Sequence, residues 1–412
     1  MNAFLLAALT GVLFFLAVGS GLEILFRLAY VAAGALVLAF VWTRLSLRGV
    51  ALERRVGSSR SQVGDRVEET ITVANRSWLP KAWIALYDHS SLPNHNASRV
   101  VSLGARSRVT WRVETICAAR GRFRLGPSTL RAGDPFGVFE RRLALGKPST
   151  IVVYPATAPL PGFPLPGGAL LGGTNRRQRT DQITPNAAGI REYVPGDAFS
   201  RIHWPSSART NRLMVKEFEP DPIADLWIAL DMEAAVQAGS GAQSTEEYAV
   251  HAAASIARRF LTSGWAVGLL SCAEQHHDLP PERGDRQLMK MLEELAVIRA
   301  IGRTPLGEVL ISEGVRFGRR ATVIAITPSP SQVWVAALRT FVERGVRSLA
   351  VLIDAGSFGG AAIGEDTLVS LAAAGIPTYI YRRGDSLADV FLGKEASPIH
   401  AGQARAGRGG EP

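Results

Sequence analysis

The stretch Asp225-Leu-Trp-Ile-Ala-Leu-Asp231 is a five-residue apolar run closed at its carboxyl end by an acid. Unbroken apolarity at this length, with no period-2 alternation, predicts a strand buried on both faces, the habit of parallel sheets. Working downstream, helical periodicity over Glu246–Phe260 is followed by an apolar run at Ala266–Leu270. The alternation continues with a helix over Arg286–Ile298, a strand over Thr322–Ile326 and a helix over Val333–Val342. A strand over Leu349–Ile353 ends in Asp354, and a helix over Asp366–Ala374 leads to a strand at Thr378–Tyr381. Apolar runs alternating with helices predict an α/β doubly wound, mainly parallel sheet over residues 223–394.

Upstream the period changes. Over residues 50–155, Ile71 and Val73, then Val109, Trp111 and Val113, alternate with polar neighbours between turn residues. That pattern predicts a small, antiparallel all-β sandwich domain. The run Arg120-Gly-Arg-Phe-Arg-Leu-Gly-Pro, followed by Asp134-Pro-Phe-Gly, reads within it as strand, turn, strand, turn. Residues 156–188 have the Pro/Gly-rich composition of a linker and run into a basic patch at Arg176, Arg177 and Arg179. The tail over 395–412 is polar and rich in Gly and Arg, the composition of a disordered segment.

At the amino terminus, Ala3–Val18 carries no charge, and a second apolar run, Leu28–Trp42, follows Gly19-Ser20-Gly21, Glu23 and Arg27. Arg27 can snorkel from the end of the second run. Two such runs predict a transmembrane helical hairpin over residues 1–47. A cleaved signal peptide would want positive charge before the first run and leaves the second unexplained. The flank after the second run holds Arg44, Arg48, Arg54, Arg55 and Arg60, so the positive-inside bias places the bulk of the chain in the cytoplasm and these arginines against anionic lipid. The 412-residue chain has a net charge of +10, part of which this flank accounts for. Its 47% hydrophobic content against 20% charged residues agrees with a membrane segment attached to folded domains. Two cysteines, Cys117 and Cys272, exclude a disulfide framework or a four-cysteine zinc site and read as buried thiols.

Between linker and first α/β strand, over residues 189–222, lies the chain's densest constellation: Arg191, Tyr193, Pro195, Gly196, Asp197, Arg201, His203, Trp204, Ser207, Arg209 and Lys216. Asp197, His203 and Ser206 or Ser207 are the residue types of a hydrolase triad. Triad members normally converge from distant segments, with the serine on a strained elbow, and here Pro205 precedes the serines without a flanking glycine. The arginines with Tyr193 and Trp204 suit phosphates and bases, but Glu192, Asp197, Glu217 and Glu219 interrupt any positive track, which argues against nucleic acid. The third reading is structural and docking. Pro195-Gly196-Asp197 forms a tight turn, Tyr193 and Trp204 anchor a loop on a sheet edge, and Arg201 and Arg209 clamp Asp197 or another carboxylate. The cluster from Cys272 through His276, His277 and Asp278 lacks a distant ligand pair and reads as a polar loop.

The ordered series Gly189-Ile-Arg-Glu-Tyr-x-Pro-Gly-Asp, Arg201-Ile-His-Trp, Ser207-Ala-Arg209 and Leu213-Met-Val-Lys216-Glu-Phe resembles the signature of the bacterial domain-of-unknown-function family fifty-eight. That resemblance covers most of the chain. It implies a membrane hairpin, a β domain with the Arg-Gly-x-Phe and Asp-Pro-Phe-Gly segments, and a von Willebrand factor A-like domain. It further implies MoxR-type AAA+ ATPases and other membrane-complex proteins as partners, with no established reaction.

In von Willebrand A domains the first strand is followed by Asp-x-Ser-x-Ser, and a later Thr and Asp complete a magnesium site. Here Asp231 aligns with the first acid, Glu233 and Ala235 stand at the serine positions, Thr304 resembles the later threonine, and Pro328 replaces the second acid. The expectation is a degenerate metal site at Asp231, Glu233 and Thr304, with magnesium the only candidate cofactor. Taken together, these readings describe a non-enzymatic, two-pass protein of the bacterial inner membrane whose partners are an ATPase and the bilayer. The alternative is a metal-dependent binding domain or an uncharacterised hydrolase.

Overall fold

The computed structural model describes residues 2–161, 163, 187–194, 202–218, 225–273, 276–318 and 321–392. The basic patch at Arg176–Arg179 and the polar tail lie outside them. The chain divides into two compact units, Met1–Ala156 with Leu292–Ile298, and Thr157–Met291 with Arg299–Pro412.

The first unit opens with helices α1 (Asn2–Ser20) and α2 (Glu23–Ser46). They pack on each other through Phe14 and Phe26, whose ring centroids are 6.1 Å apart. Among the described residues α2 is the one helix long and apolar enough to cross a membrane, with a mean hydropathy of 2.3, and the apolar part of α1 is shorter.

Ten strands follow: β1 (Val50–Val56), β2 (Arg60–Gln62), β3 (Arg66–Asn75), β4 (Lys81–Asp88), β5 (Arg99–Leu103), β6 (Arg108–Ile116), β7 (Gly121–Leu125), β8 (Ser128–Gly133), β9 (Glu140–Leu145) and β10 (Ser149–Tyr154). They form sheets of order β1-β3-β6, β5-β4-β8-β9 and β2-β10-β7. Ile71, Val73 and Trp111 of the first sheet share one core with Ile84, Leu86, Leu103 and Leu130 of the second. The alternation read in the sequence reflects this: one side of each strand faces the core and the other faces water. One pairing departs from the antiparallel expectation, because β2 runs parallel to β10. Arg120, in the turn before β7, is buried and donates to the Ile298 carbonyl at 2.7 Å inside the same unit.

The arginines after α2 do not share one environment, which corrects the expectation that all five face lipid. Arg44 and Arg48 are exposed at the helix end. Arg55 pairs with Glu53 on the surface, and Arg60 pairs with Glu293 at 2.8 Å. Arg54 alternates inward on β1, and its side chain is 6% exposed. It donates through Nε and Nη2 to the Glu69 carboxylate and through Nη2 to Asp88 at 2.8 Å. His95 Nε2 stands 3.0 Å from Glu69 and 3.4 Å from Asp88, while its Nδ1 meets the Thr115 hydroxyl. Charges this deeply desolvated persist only when paired and hydrogen-bonded.

The second unit begins with a segment expected to be linker, yet Leu160 and Phe163 are core residues. Phe163 packs against Phe260, Tyr379 and Phe391, so apolar side chains among the prolines tie this stretch down. A two-stranded ribbon, β11 (Ala187–Glu192) with β12 (Met214–Phe218), encloses the short helix α3 (Trp204–Thr210).

Then come β13 (Leu226–Leu230), the small hairpin β14 (Gly239–Ser240) and β15 (Gln243–Ser244), α4 (Thr245–Thr262), β16 (Val267–Cys272) and β17 (His276–Glu282). The remainder is α5 (Asp285–Val297), which from Leu292 on counts with the first unit, α6 (Leu306–Glu313), β18 (Thr322–Thr327), α7 (Val333–Glu343), β19 (Arg347–Ile353), α8 (Glu365–Ala373), β20 (Thr378–Tyr381) and α9 (Leu387–Phe391). The sheet order is β17-β16-β13-β18-β19-β20. All neighbours are parallel except β16 and β17. The first strand is central and every residue of it is buried, as its unbroken apolarity requires.

Helix α4 is capped by Ser244, which accepts from the Glu247 amide, and its alanine-rich inner face is buried. Two elements differ from the reading of the sequence. The polar stretch after Cys272 is an edge strand, because Cys272 pairs with His276 in a hairpin. Helix α6 was hidden by its brevity. Gly307 lets it approach α7 closely, since a Cβ there would lie 2.6 Å from a Val333 methyl.

Glu69 gives a stability test. Burial acts to raise its carboxyl, but the bonds from His95 and Arg54 outweigh that and hold it below the ordinary value. Its stabilisation is therefore present above the ordinary carboxylate range and lost as pH falls through the lowered folded value. Glu69→Gln leaves Arg54 paired with Asp88 but removes a charge-assisted hydrogen bond, and is expected to cost about 1.5–3 kcal/mol. Denaturant unfolding of the detergent-purified protein at neutral and acidic pH measures this, and the variant should lose the acid-dependent part of the loss.

Candidate functional site

Two constellations stand out in the second unit: the carboxyl edge of the parallel sheet and the ribbon that precedes it. In doubly wound sheets the carboxyl edge beside the first strand is where ligands meet the fold.

Asp231 follows β13 directly and is 1% exposed. Its Oδ2 accepts from the Thr327 hydroxyl at 2.5 Å, and its Oδ1 accepts from the Glu233 amide at 3.0 Å. Thr327 ends β18 and is itself buried, and its Oγ1 accepts from the Ser329 amide at 2.9 Å. The acid thereby joins the ends of two central strands. Thr327 stands outside the sequence expectation, although a hydroxyl closing an apolar strand beside an acid-terminated one was a usable signal.

Glu233 makes an isolated parallel bridge with Gly302. The Gly302 amide donates to the Met232 carbonyl, and the Ala234 amide donates to the Gly302 carbonyl, both at 2.9 Å. Gly302, two residues before Thr304 in the chain, is thereby held beside the end of β13 with Glu233. Burial pushes the Asp231 carboxyl up to about 6, against the opposing bonds from Thr327 and the Glu233 amide. Burial and the nearby Glu308 also raise Glu233.

These residues do not fit magnesium. A hard divalent ion needs about six oxygen ligands. Both Asp231 oxygens are already engaged by donors of the chain, and no group of three or more His, Cys, Asp or Glu side chains is placed to hold a metal among the described residues. The face is shaped by hydrogen bonds within the chain.

The ribbon pairs Ile190 with Lys216, Arg191 with Val215 and Glu192 with Met214. It continues as the Tyr193 amide donates to the Leu213 carbonyl at 2.8 Å. Pro195, Gly196, Asp197 and Arg201 fall outside the described residues, as do the side chains of Arg191 and Lys216. Beyond that gap Ile202 is buried and bridges Val215, and the His203 amide donates to the Met214 carbonyl at 2.8 Å. Pro205 lies in the first turn of α3, where its missing amide costs nothing, and Asn211 ends the helix in the left-handed region at φ 52°.

Ser207 is structural. Its hydroxyl accepts from the Met214 amide at 2.9 Å and donates to the His203 carbonyl at 3.1 Å, joining α3 to β12. His203 Nδ1 lies 2.8 Å from the Ser206 hydroxyl. That is the ring nitrogen a triad reserves for its carboxylate, and the two residues stand three apart across a helix start, so the contact is a local side-chain pair at the first turn of α3.

Trp204 does not anchor a sheet edge as expected. It is 65% exposed, and Val194 and Leu213 are exposed on the same short module. Arg209 is exposed as well, and Arg212 pairs with Glu192 at 3.5 Å.

Asp231 makes a direct prediction. A carboxyl raised to about 6 in the fold contributes stability that is fully present below its ordinary value and is lost as pH rises through 6. Asp231→Asn keeps an acceptor for Thr327 and removes the buried charge. Hydrogen exchange of β13 should show less opening in the variant at pH 8, by up to about 3 kcal/mol, and no difference near pH 4.

Comparison with known proteins gives three kinds of likeness. Among solved structures, the CARDB domain of PF1109 from Pyrococcus furiosus is 14% identical, with a TM-score of 0.20, over 26% of this chain and 94% of that one. The uncharacterized protein YeaD of Bacillus subtilis is 25% identical over 341 residues, covering 78% of this chain and 81% of that protein. The uncharacterized protein Rv1480 of Mycobacterium tuberculosis is 36% identical over 74 residues, 18% of this chain and 23% of that protein. Finally, residues 189–354, from the ribbon to the acid that closes β19, match the family described as "Protein of unknown function DUF58".

Proposed function

We propose that this chain is a membrane-anchored protein-interaction module that presents the ribbon over 189–222 to a partner. The observation that carries the reading is Trp204, an indole 65% exposed on a backbone whose hydrogen bonds are made internally. Val194 and Leu213 extend its apolar character. An exposed apolar group on a rigid frame marks a contact surface, and tryptophan dominates binding energy where it becomes buried on association.

On this reading α1 and α2 cross the inner membrane as a pair, with the rest of the chain in the cytoplasm, because Arg44 in the last turn of α2 and Arg48 just after it are basic and the turn between the helices is short. The second unit is a von Willebrand factor A-like domain, a reading supported by its central first strand, the antiparallel β17 edge and Asp231 at the strand end. Its carboxyl edge, with Asp231, Glu233 and Thr304, acts as a binding face without a metal. The partner is a MoxR-type AAA+ ATPase, as the resemblance of the signature series implies, acting with other proteins of the same membrane complex.

Capture of such an ATPase from solubilised membranes tests the reading. Trp204→Ser combined with Leu213→Ser should weaken capture by about 30-fold, the effect of losing roughly 2 kcal/mol at one anchor. Hydrogen exchange over β11 and β12 should stay at the native level, since both side chains are exposed. Undiminished capture would overturn the proposal.

A further inference from the structure

The Asp134-Pro-Phe-Gly turn and two neighbouring loops carry a feature that the interaction reading leaves unused. Asp134 is buried, and its carboxylate accepts from the Phe136 amide at 2.8 Å and the Phe139 amide at 2.5 Å. This ties the turn into one shape and leaves Phe136 66% exposed. Beside it, Phe139 packs edge-on against Phe40 of α2 at 5.7 Å. Phe40 lies six residues before the end of α2, roughly 9 Å back along its axis. The turn therefore reaches alongside the last apolar turns of the helix.

Other loops of the same unit gather at that point. Arg141 donates to the Arg44 carbonyl and Lys81 to the Leu45 carbonyl, both at 2.6 Å. The Arg76 amide donates to the Gly49 carbonyl at 2.8 Å, and the Arg106 amide donates to the Ser77 carbonyl at 3.0 Å. Arg76, Arg106 and Arg108 line a shallow cleft of about 420 Å³. Among the described residues, none of these three, nor Arg44 or Arg48, makes an ion pair, in contrast to Arg54 and Arg60 of the same unit. In the loop after Arg76, Trp78 is 77% exposed.

We infer that this rim of the β domain docks on the bilayer surface, with Phe136 and Trp78 at headgroup depth and Arg76, Arg106 and Arg108 on anionic phospholipid phosphates. Three features select a lipid occupant. The rim is continuous with the end of α2, which is apolar enough to cross a membrane, its arginines lack carboxylate partners among the described residues, and exposed Trp78 is of a kind that populates membrane interfaces. The Asp134 turn thus has a task, which is to hold a phenyl ring out from the sheet toward the membrane. The inference rests on the membrane-anchored reading above and assigns a contact which that reading does not require.

Depth-dependent quenching tests it on the full chain. In a Cys272→Ser background, since Cys117 is buried, an environment-sensitive fluorophore is placed at Phe136→Cys, at Val41→Cys within α2, or at Arg66→Cys. Arg66 begins β3, roughly 30 Å along the strand from the rim. The protein is reconstituted in nanodiscs of phosphatidylcholine, with or without about one-third phosphatidylglycerol, and quenched with headgroup-proximal spin-labelled lipid. The label at 136 should be quenched about fivefold more than that at 66 in the anionic discs and nearly as much as that at 41. The triple variant Arg76→Glu, Arg106→Glu, Arg108→Glu should at least halve quenching at 136 and leave that at 41 unchanged.

Quenching at 41 without quenching at 136 overturns the docking rim while the anchor stands. Quenching at neither position overturns the anchor and the rim with it. Quenching at 136 that ignores both phosphatidylglycerol and the triple variant overturns the anionic-headgroup assignment.

Discussion

The hydrogen bond from Thr327 to Asp231 is the contact on which the candidate face depends. An acid at the end of a wholly buried central strand has nowhere to find water, and so it must find donors. One comes from the neighbouring strand β18 and the other from its own chain two residues on. Those two donors set the spacing of the strand ends, and the Gly302 bridge then sets the loop that carries Thr304. Each carboxylate oxygen thus holds one donor of the chain, and these bonds shape the edge.

Burial of charge also organises the first unit, where it sorts arginines that look alike in sequence. Arg54 is desolvated and surrounded by Glu69, Asp88 and His95, so its energetics are those of a paired internal charge. Arg44, Arg48, Arg76, Arg106 and Arg108 have no such partners among the described residues and stay at the surface. These arginines of the first unit are thus of two kinds, one neutralised inside the fold by carboxylates and one left at the surface.

The signature ribbon divides its residues between frame and surface. Ser207, Ile202 and the paired backbone of β11 and β12 make the frame, while Trp204, Val194 and Leu213 are turned outward. A hydroxyl satisfied by one amide and one carbonyl is a structural element, and the proximity of His203 to Ser206 follows from a helix start. The chemical appearance of the described part comes from residues that join α3 to β12. The frame leaves the Trp204 indole uncovered.

Much of the α/β order was legible because period and length are local properties. The unbroken run Leu226–Leu230 could only be a two-sided strand, and the helical stretches from Glu246, Arg286, Val333 and Asp366 announced their inner faces. The alternation around Ile71 and Trp111 likewise declared a half-buried sheet. The antiparallel edge β17 was hidden behind histidines and prolines, which do not look like a strand until Cys272 and His276 are seen to pair. The burial of Leu160 and Phe163 was masked by a composition that elsewhere means linker. By itself the sequence determined the kinds of element, their order and the acid that ends the first strand, because each of these is written within about a dozen neighbouring residues. Only the tertiary structure decided that Thr327, 96 residues away, would answer Asp231, that Arg54 would be buried while Arg76 would not, and that Trp204 would face outward. Those outcomes depend on which distant segments share a desolvated space, and no local period records that.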